Sequence, residues 1–181
     1  MNKLYVFSGA SGVGKSTVLS QVMQKNPSLR FSVSATTRLP RPGEVEGQSY
    51  YFVTHDRFQE MIRENAFVEY DEHMGNFYGT PKFQLDEKLE KGSVLLDIEP
   101  VGALNVKTQC PDAVLIFIAP PSPEELERRL RGRGDTSEEQ IRIRQDRVRW
   151  EMEQSKKYDY IVINDQVETC VDKILAIIDG E

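Results

Sequence analysis

Residues 9–16 read Gly9-Ala10-Ser11-Gly12-Val13-Gly14-Lys15-Ser16 and match G-x-x-x-x-G-K-[ST] in full. The match directly follows an apolar, β-type run at 4–8 and directly precedes a helix-periodic stretch at 15–25, the context in which such a loop binds phosphate. Glycines let the backbone turn tightly so that successive N–H groups converge on phosphate oxygens, and the helix N-terminus adds partial positive charge. Lys15 is then the cation for the β- and γ-phosphates of a nucleoside triphosphate. The Ser16 hydroxyl is placed to ligate a Mg²⁺ that bridges phosphate oxygens, and Thr17 follows in the same turn. This loop announces the triphosphate but not its use.

A second constellation lies downstream. Ser34-Ala35-Thr36-Thr37-Arg38-Leu39-Pro40-Arg41-Pro42-Gly43-Glu44 is followed by Gly47, Tyr50 and Phe52, then Val68-Glu69-Tyr70, then Gly75-Asn76-Phe77-Tyr78-Gly79-Thr80. Arg38 and Arg41, three apart and braced by prolines, together with the hydroxyls of Tyr50 and Tyr78, suit a second phosphate, because guanidinium forks match phosphate bidentately. Glu69 is a carboxylate among Phe67, Val68 and Tyr70. It is able to accept two parallel hydrogen bonds from an edge with adjacent N–H donors, which guanine has and adenine lacks. The third feature is charge. Residues 128–149 hold eight Arg against four acids, a local +4, so with a net charge of -6 the other 159 residues carry -10. That asymmetry points to a local anionic partner, the alternative being a solvated helix face with i,i+4 pairs.

The elements that must position these groups alternate short β-rich runs with helix-length periodic stretches, an α/β signature. Strands are expected at 4–8, 30–33, 94–98, 114–118 and 160–163, several of them continuous apolar runs suited to a buried parallel sheet. Helix 15–25 carries Val18, Leu19, Val22 and Met23 on one side. The last helix carries Val171, Ile174, Leu175 and Ile178. Ser122-Pro123-Glu124-Glu125 reads as a capping box, Thr80-Pro81 opens a helix that Gly92 closes, and Ser137 with Gln140 opens another. Residues 34–78, rich in Gly, Pro and aromatics, read as an inserted subdomain, and the Arg-dense 128–146 with Gly132-Arg133-Gly134 as a mobile lid.

Composition narrows the class. At 181 residues with 39% hydrophobic content the chain is long enough for one domain burying roughly 70% of its unfolded surface. Cys110 and Cys170 lie 60 positions apart without a CxxC pair, and there are only two His, which argues against a zinc module or a disulfide framework and gives the thiols a packing role. No signal-peptide pattern or membrane-length apolar stretch is present, so a cytoplasmic protein without membrane or nucleic-acid polymer partners is expected, as monomer or homo-oligomer.

The landmarks G-A-S-G-V-G-K-S-T, S-A-T-T-R-L-P-R-P-G-E-V-E-G-Q-S-Y-Y-F, G-N-F-Y-G-T, and I-A-P-P-S with R-G-R-G and Y-D-Y-I-V-I-N-D together resemble the guanylate kinase family nearly end to end. The resemblance implies a three-layer α/β/α P-loop kinase fold with a parallel core sheet (1–33, 81–127 and 147–181), a GMP-binding subdomain (34–80) and a lid (128–146). It implies transfer of the γ-phosphoryl of ATP to GMP or dGMP with Mg²⁺. Residues 9–17 would bind ATP; Ser34, Glu69 and Thr80 would surround guanine; Arg38, Arg41, Tyr50 and Tyr78 would hold the GMP phosphate. Lys15, Arg129, Arg133 and Arg144 would converge on the transferred group.

Two departures stand out. Asp97-Ile98-Glu99-Pro100-Val101-Gly102 has Glu99 where the family usually has Asp, and lacks its Gln, which leaves open how Asp97 and Glu99 serve the guanine or the metal. After Arg144, the run Gln145-Asp146-Arg147-Val148-Arg149-Trp150 replaces a pattern of Leu and Ala, so lid packing is expected to differ; Trp150 reads as a core or interface anchor. Two other functions fit parts of the pattern: a P-loop kinase of another phosphorylated acceptor, and a non-catalytic peptide-binding module of guanylate-kinase-like build.

Overall fold

A computed structural model describes residues 2–73, 75–131 and 138–180. Its elements run β1 (Leu4–Gly9), α1 (Lys15–Lys25), β2 (Arg30–Phe31), β3 (Ala35–Thr36), β4 (Tyr51–Phe52), α2 (His55–Arg63), β5 (Phe67–His73) and β6 (Asn76–Pro81). Then follow α3 (Lys82–Lys91), β7 (Val94–Asp97), α4 (Pro100–Gln109), β8 (Val114–Ala119), α5 (Pro123–Arg131), α6 (Glu138–Ser155), β9 (Tyr160–Ile163) and α7 (Val167–Asp179). The fold is α/β. The central sheet has strand order β2-β7-β1-β8-β9, with β2–β7 and β8–β9 in parallel register. β1 and β8 are apolar almost throughout and almost wholly buried, as strands covered on both faces must be.

The chain divides into two compact units, one comprising Met1–Tyr5 with Ser28–Ala113, the other Val6–Pro27 with Val114–Glu181. In the second unit α1 buries Val18, Leu19 and Val22 and packs against α7. The buried face of α7 is Cys170, Val171 and Ile174, whereas Leu175 and Ile178 are only half-buried, so the apolar stripe sits about one residue earlier than the sequence suggests. Ser122 caps α5 by accepting the Glu125 N–H at 3.1 Å. The proposed cap at Ser137 and the Gly132–Gly134 triplet lie outside the described residues. Trp150 is 44% exposed, which removes the core role expected for it. Among the described residues no helix is long and apolar enough to cross a membrane.

The inserted stretch is more ordered than its turn-rich composition suggests. Four strands in the order β4-β3-β6-β5 form a second sheet against α2, which Thr54 caps by accepting the Arg57 N–H at 3.2 Å. Their core is Ala35, Phe58, Met61 and Phe67, with the Phe58 ring stacked on Phe67 at 4.5 Å and on Phe77 at 5.4 Å. Here aromatic area does the work that aliphatic runs do in the central sheet.

One irregularity in this small sheet matters for everything downstream. In β5 the pairing steps from Phe67↔Pro81 directly to Glu69↔Thr80, leaving Val68 as an extra, bulged residue. In a regular strand Phe67 and Glu69 share a face. The bulge breaks that parity. Phe67 and Tyr70 both pack on Phe58 of α2, and Glu69 is turned to meet Thr80 and Gly102 of α4. Thr80 therefore spends its hydroxyl across the strand pair and not on a helix cap; α3 starts after Pro81 without a side-chain cap, and Gly92 closes it as expected.

Candidate active site

The second unit holds the phosphate loop. Val6–Gly9 bring the chain to the end of β1, where the Ala10 N–H donates to the Ile118 carbonyl at 3.2 Å and the Val13 N–H to the Ala10 carbonyl at 3.0 Å. Two buried polar side chains complete the loop: Glu151 of α6 accepts the Ser11 N–H at 2.8 Å, and Asn164 donates from Nδ2 to the Val13 carbonyl at 2.8 Å. Gly12 and Gly14 have φ of 84° and 88°, values at which an L side chain is strained. The first helical bond runs from the Val18 N–H to Gly14, so the N–H groups of Lys15, Ser16 and Thr17 precede the intrahelical ladder. The first turn of α1 has neither a side-chain cap nor an acidic residue. A helix start left in this state, with a half-buried lysine and exposed Ser16 and Thr17, is suited to an anion.

Among the described residues no group of three or more His, Cys, Asp and Glu is arranged to hold a metal ion. A single hydroxyl at Ser16 suits Mg²⁺, which keeps most of its waters and takes its remaining oxygens from a nucleotide's phosphates.

The first unit holds the other half of the predicted chemistry. Arg38 Nη2 donates to both oxygens of Glu44 at 2.7 and 3.0 Å, and Nη1 donates to the Leu39 carbonyl at 2.7 Å. The guanidinium lies over the Tyr50 ring at 5.4 Å and the Phe52 ring at 6.0 Å. Glu44 also accepts the Arg41 N–H at 2.7 Å, which ties the two-arginine turn together and leaves the Arg41 side chain exposed. The Glu44 hydrogen bond, and secondarily the one to Tyr78, raise the Arg38 pKa. Arg38 in turn holds the Glu44 carboxyl below its ordinary range. Tyr50 meets Tyr78 edge-on at 6.0 Å. Burial, then the charge of Asp97, push its phenol up, so it is a neutral donor.

Glu69 is 6% exposed. Its Oε1 accepts the Thr80 hydroxyl at 2.6 Å. A methyl on Gly102 would stand 2.5 Å from Oε2, so only glycine lets the first turns of α4 approach the carboxylate this closely. Gln109 of the same helix donates to the Val68 carbonyl at 2.6 Å, fixing the bulge against it. Burial pushes the Glu69 carboxyl up to about 7, offset in part by Thr80 and reinforced by Asp71.

The structure thus brings Arg38, Tyr50 and Tyr78 together, and pairs Glu69 with Thr80. Ser34 is half-buried and its carbonyl accepts the Tyr51 N–H at 2.9 Å. Asp97 ends β7 within electrostatic reach of Tyr50, whereas Glu99 is exposed at the start of α4 and does not cap it. Arg129 falls in α5 and Arg144 in α6; Arg133 lies outside the described residues. Sequence reasoning gave no role to Glu44, Gly102, Glu151 or Asn164. Glu44, Gly102 and Asn164 at least lay inside quoted motifs. Glu151 is one acid among several in a charged helix, and only its burial singles it out.

The raised Glu69 pKa makes a stability prediction. The unfolded chain loses this proton near 4.5 and the folded chain near 7, so the folded state binds more protons in between. Stability is fully present below 4.5 and declines as pH rises to about 7, by roughly 3 kcal/mol at ~1.4 kcal/mol per unit. Glu69→Gln keeps an acceptor for Thr80 and removes the charge. In thermal melts at pH 8 the ligand-free variant is expected to melt several degrees above the parent, at about 2–4 °C per kcal/mol, with the gap closing toward pH 5. A pH-independent difference would contradict this.

Comparison with known proteins identifies the family. The guanylate kinase family model matches residues 1–181. The chain is 51% identical over 177 residues to the guanylate kinase of Trichodesmium erythraeum, covering 96% of this chain and 95% of the relative. It is 48% identical over 180 residues to that of Thermus thermophilus, covering 99% and 81%. A crystal structure of guanylate kinase from Anaplasma phagocytophilum superimposes with a TM-score of 0.81 at 33% identity, covering 99% of this chain and 85% of that one. With the motifs, the fold and these likenesses in agreement over its whole length, the chain belongs to the guanylate kinase family.

Proposed function

We propose that this protein transfers the γ-phosphoryl group of ATP to GMP or dGMP, giving ADP and the nucleoside diphosphate. The observation that carries the acceptor's identity is Glu69: a carboxylate buried with no cation beside it among the described residues needs N–H donors to be ionised, and the adjacent N–H groups of guanine supply two. Thr80 fixes the carboxylate's orientation. In the same unit Arg38, Tyr50 and Tyr78 form the phosphate end of the acceptor site, with Arg41 adding donors, and Ser34 joins Glu69 and Thr80 around the guanine. Ligand-free, Arg38 rests on Glu44; an incoming phosphate takes up the guanidinium's remaining donors. Asp97 and Glu99 complete our assignment on the guanine side, and residues 34–80 form the GMP-binding subdomain.

Residues 9–17 bind the ATP phosphates, with the amides at the start of α1 and the Lys15 ammonium on the transferring end. Mg²⁺ held by Ser16, phosphate oxygens and water would neutralise charge developing on the β- and γ-phosphates. An oxygen of the GMP phosphate forms the new P–O bond as the bond from the γ-phosphorus to the β–γ bridging oxygen breaks. That acceptor is already an anion, so no general base is required. Arg129, Arg133 and Arg144 act on the transferring group from the segment 128–146, which we assign as a lid whose closure excludes water and prevents hydrolysis.

Three outcomes test this reading. A coupled assay of ADP release should show GMP and dGMP turned over in preference to AMP and UMP; equal turnover of AMP would contradict the role of Glu69. Lys15→Ala should lower kcat by about 10²-fold or more, and near-parental kcat would remove Lys15 from the transition state. Gly102→Ala should displace the Glu69 carboxylate and raise the KM for GMP about tenfold or more while leaving that for ATP unchanged; an unchanged KM for GMP would show that Glu69 is not held there for binding.

A further inference from the structure

The run that departs from the family pattern after Arg144 contains a feature the reaction does not yet use. Arg147 and Glu151 stand four apart on α6 and therefore share a face. A neighbouring pair on this helix is solvated: Arg149 and Asp146, three apart, meet at 3.3 Å with side chains 80% and 67% exposed, an arrangement of little consequence. The Arg147–Glu151 pair is different in kind. Arg147 Nε donates to Glu151 Oε1 at 2.8 Å, and the two side chains are 33% and 1% exposed. The other oxygen, Oε2, takes the N–H of Ser11 in the phosphate loop, also at 2.8 Å.

An almost fully buried carboxylate against a loop that receives a polyanion is electrostatically adverse unless something is gained. Two gains are visible. The Ser11 N–H is claimed, as those of Ala10 and Val13 are by carbonyls, so the loop is pinned by protein partners ahead of the Lys15–Thr17 amides that start α1. The Arg147 guanidinium balances the carboxylate's charge, so its field at the loop is that of a pair and not of a lone anion.

We infer that Glu151 is a positioning residue for the ATP phosphates: through Ser11 it fixes the conformation of the phosphate loop and ties that loop to α6, the helix that carries Arg144, while Arg147 balances its charge. The inference rests on the reading of residues 9–17 as the ATP site. It makes Arg147, outside the lid segment, a residue that sets donor affinity.

The test uses the full chain with ATP and GMP as substrates and direct titration of ATP. Glu151→Ala removes both bonds and should raise the KM and Kd for ATP about ten- to hundredfold, the range for losing a hydrogen bond to a charged group, with the KM for GMP unchanged. Glu151→Gln retains an acceptor for Ser11 and should recover most of that loss. Hydrogen exchange at the Ser11 amide should be fast in the first variant and protected in the second. KM values rising together for both substrates, or an ATP affinity unchanged or improved, would overturn the proposal. Should Glu151→Ala fail to fold, Arg147→Met decides: it removes the guanidinium from Glu151 Oε1 and must weaken ATP selectively, and parental ATP affinity overturns the part given to Arg147. Lys15→Ala in the same series separates the two levels. If it behaves as the parent, the ATP site itself is misread; if it is inactive while Glu151→Ala is normal, only the positioning role fails.

Discussion

A carboxylate taken out of water with, among the described residues, no cation beside it is the constraint around which the proposed acceptor site is arranged. Glu69 is 6% exposed, and Thr80 supplies a hydroxyl proton, not a charge, to its Oε1. Left alone, such a group prefers its proton, which is why its pKa stands near 7. The features that keep it buried are costly in the same sense. A residue is bulged out of β5 to turn it from the aromatic core, and a glycine in α4 makes room for its second oxygen. None of these helps an empty protein. On the proposed function they are explained together, by a ligand that arrives with two parallel N–H donors, restores the charge and gains, in a dry site, hydrogen bonds stronger than it had in water.

The two anion-handling sites solve opposite problems with the same means. At the phosphate loop the positive element is backbone, a helix start without side-chain cap or acid, and the buried polar side chains Glu151 and Asn164 occupy the loop's other groups. At the acceptor site the positive element is Arg38, long and mobile by nature, and Glu44 restrains it while also taking the Arg41 N–H. In each case an acidic side chain organises a site for an anion. That is tolerable because each is hydrogen-bonded to the groups it organises and its charge is matched by an arginine.

The sequence made some of this legible. The Walker-type loop was readable because its chemistry is local: seven peptide units in a row produce the site, and strand and helix flank it at once. Helix α1 and strand β9 fell where apolar periodicity put them. In the insert, strands of two residues such as β3 and β4 are too short to leave an alternation to detect, and a composition full of Gly and Pro reads as loop although aromatic stacking on Phe58 holds it together. The bulge at Val68 is invisible to any periodic reading, since it consists of a broken period. Thr80 looked like a helix cap because a hydroxyl before Pro is one; only the cross-strand register shows that Glu69 claims it. Trp150 read as a core or interface anchor because large aromatics usually are buried, and its exposure on α6 removes the core role. Glu151 could not be found from sequence, because in a charged helix nothing but three-dimensional burial distinguishes one acid from its neighbours.

The most direct measurement of the central claim is a carbon-13 carboxyl NMR titration of Glu69, in the protein alone and saturated with GMP. The account requires a midpoint near 7 without ligand and, with GMP bound, a midpoint moved down to the ordinary carboxylate range or below it, because N–H donors favour the ionised form. A free-protein midpoint near 4.5, or one that GMP leaves where it was, would mean that this carboxylate is not the group that reads the base.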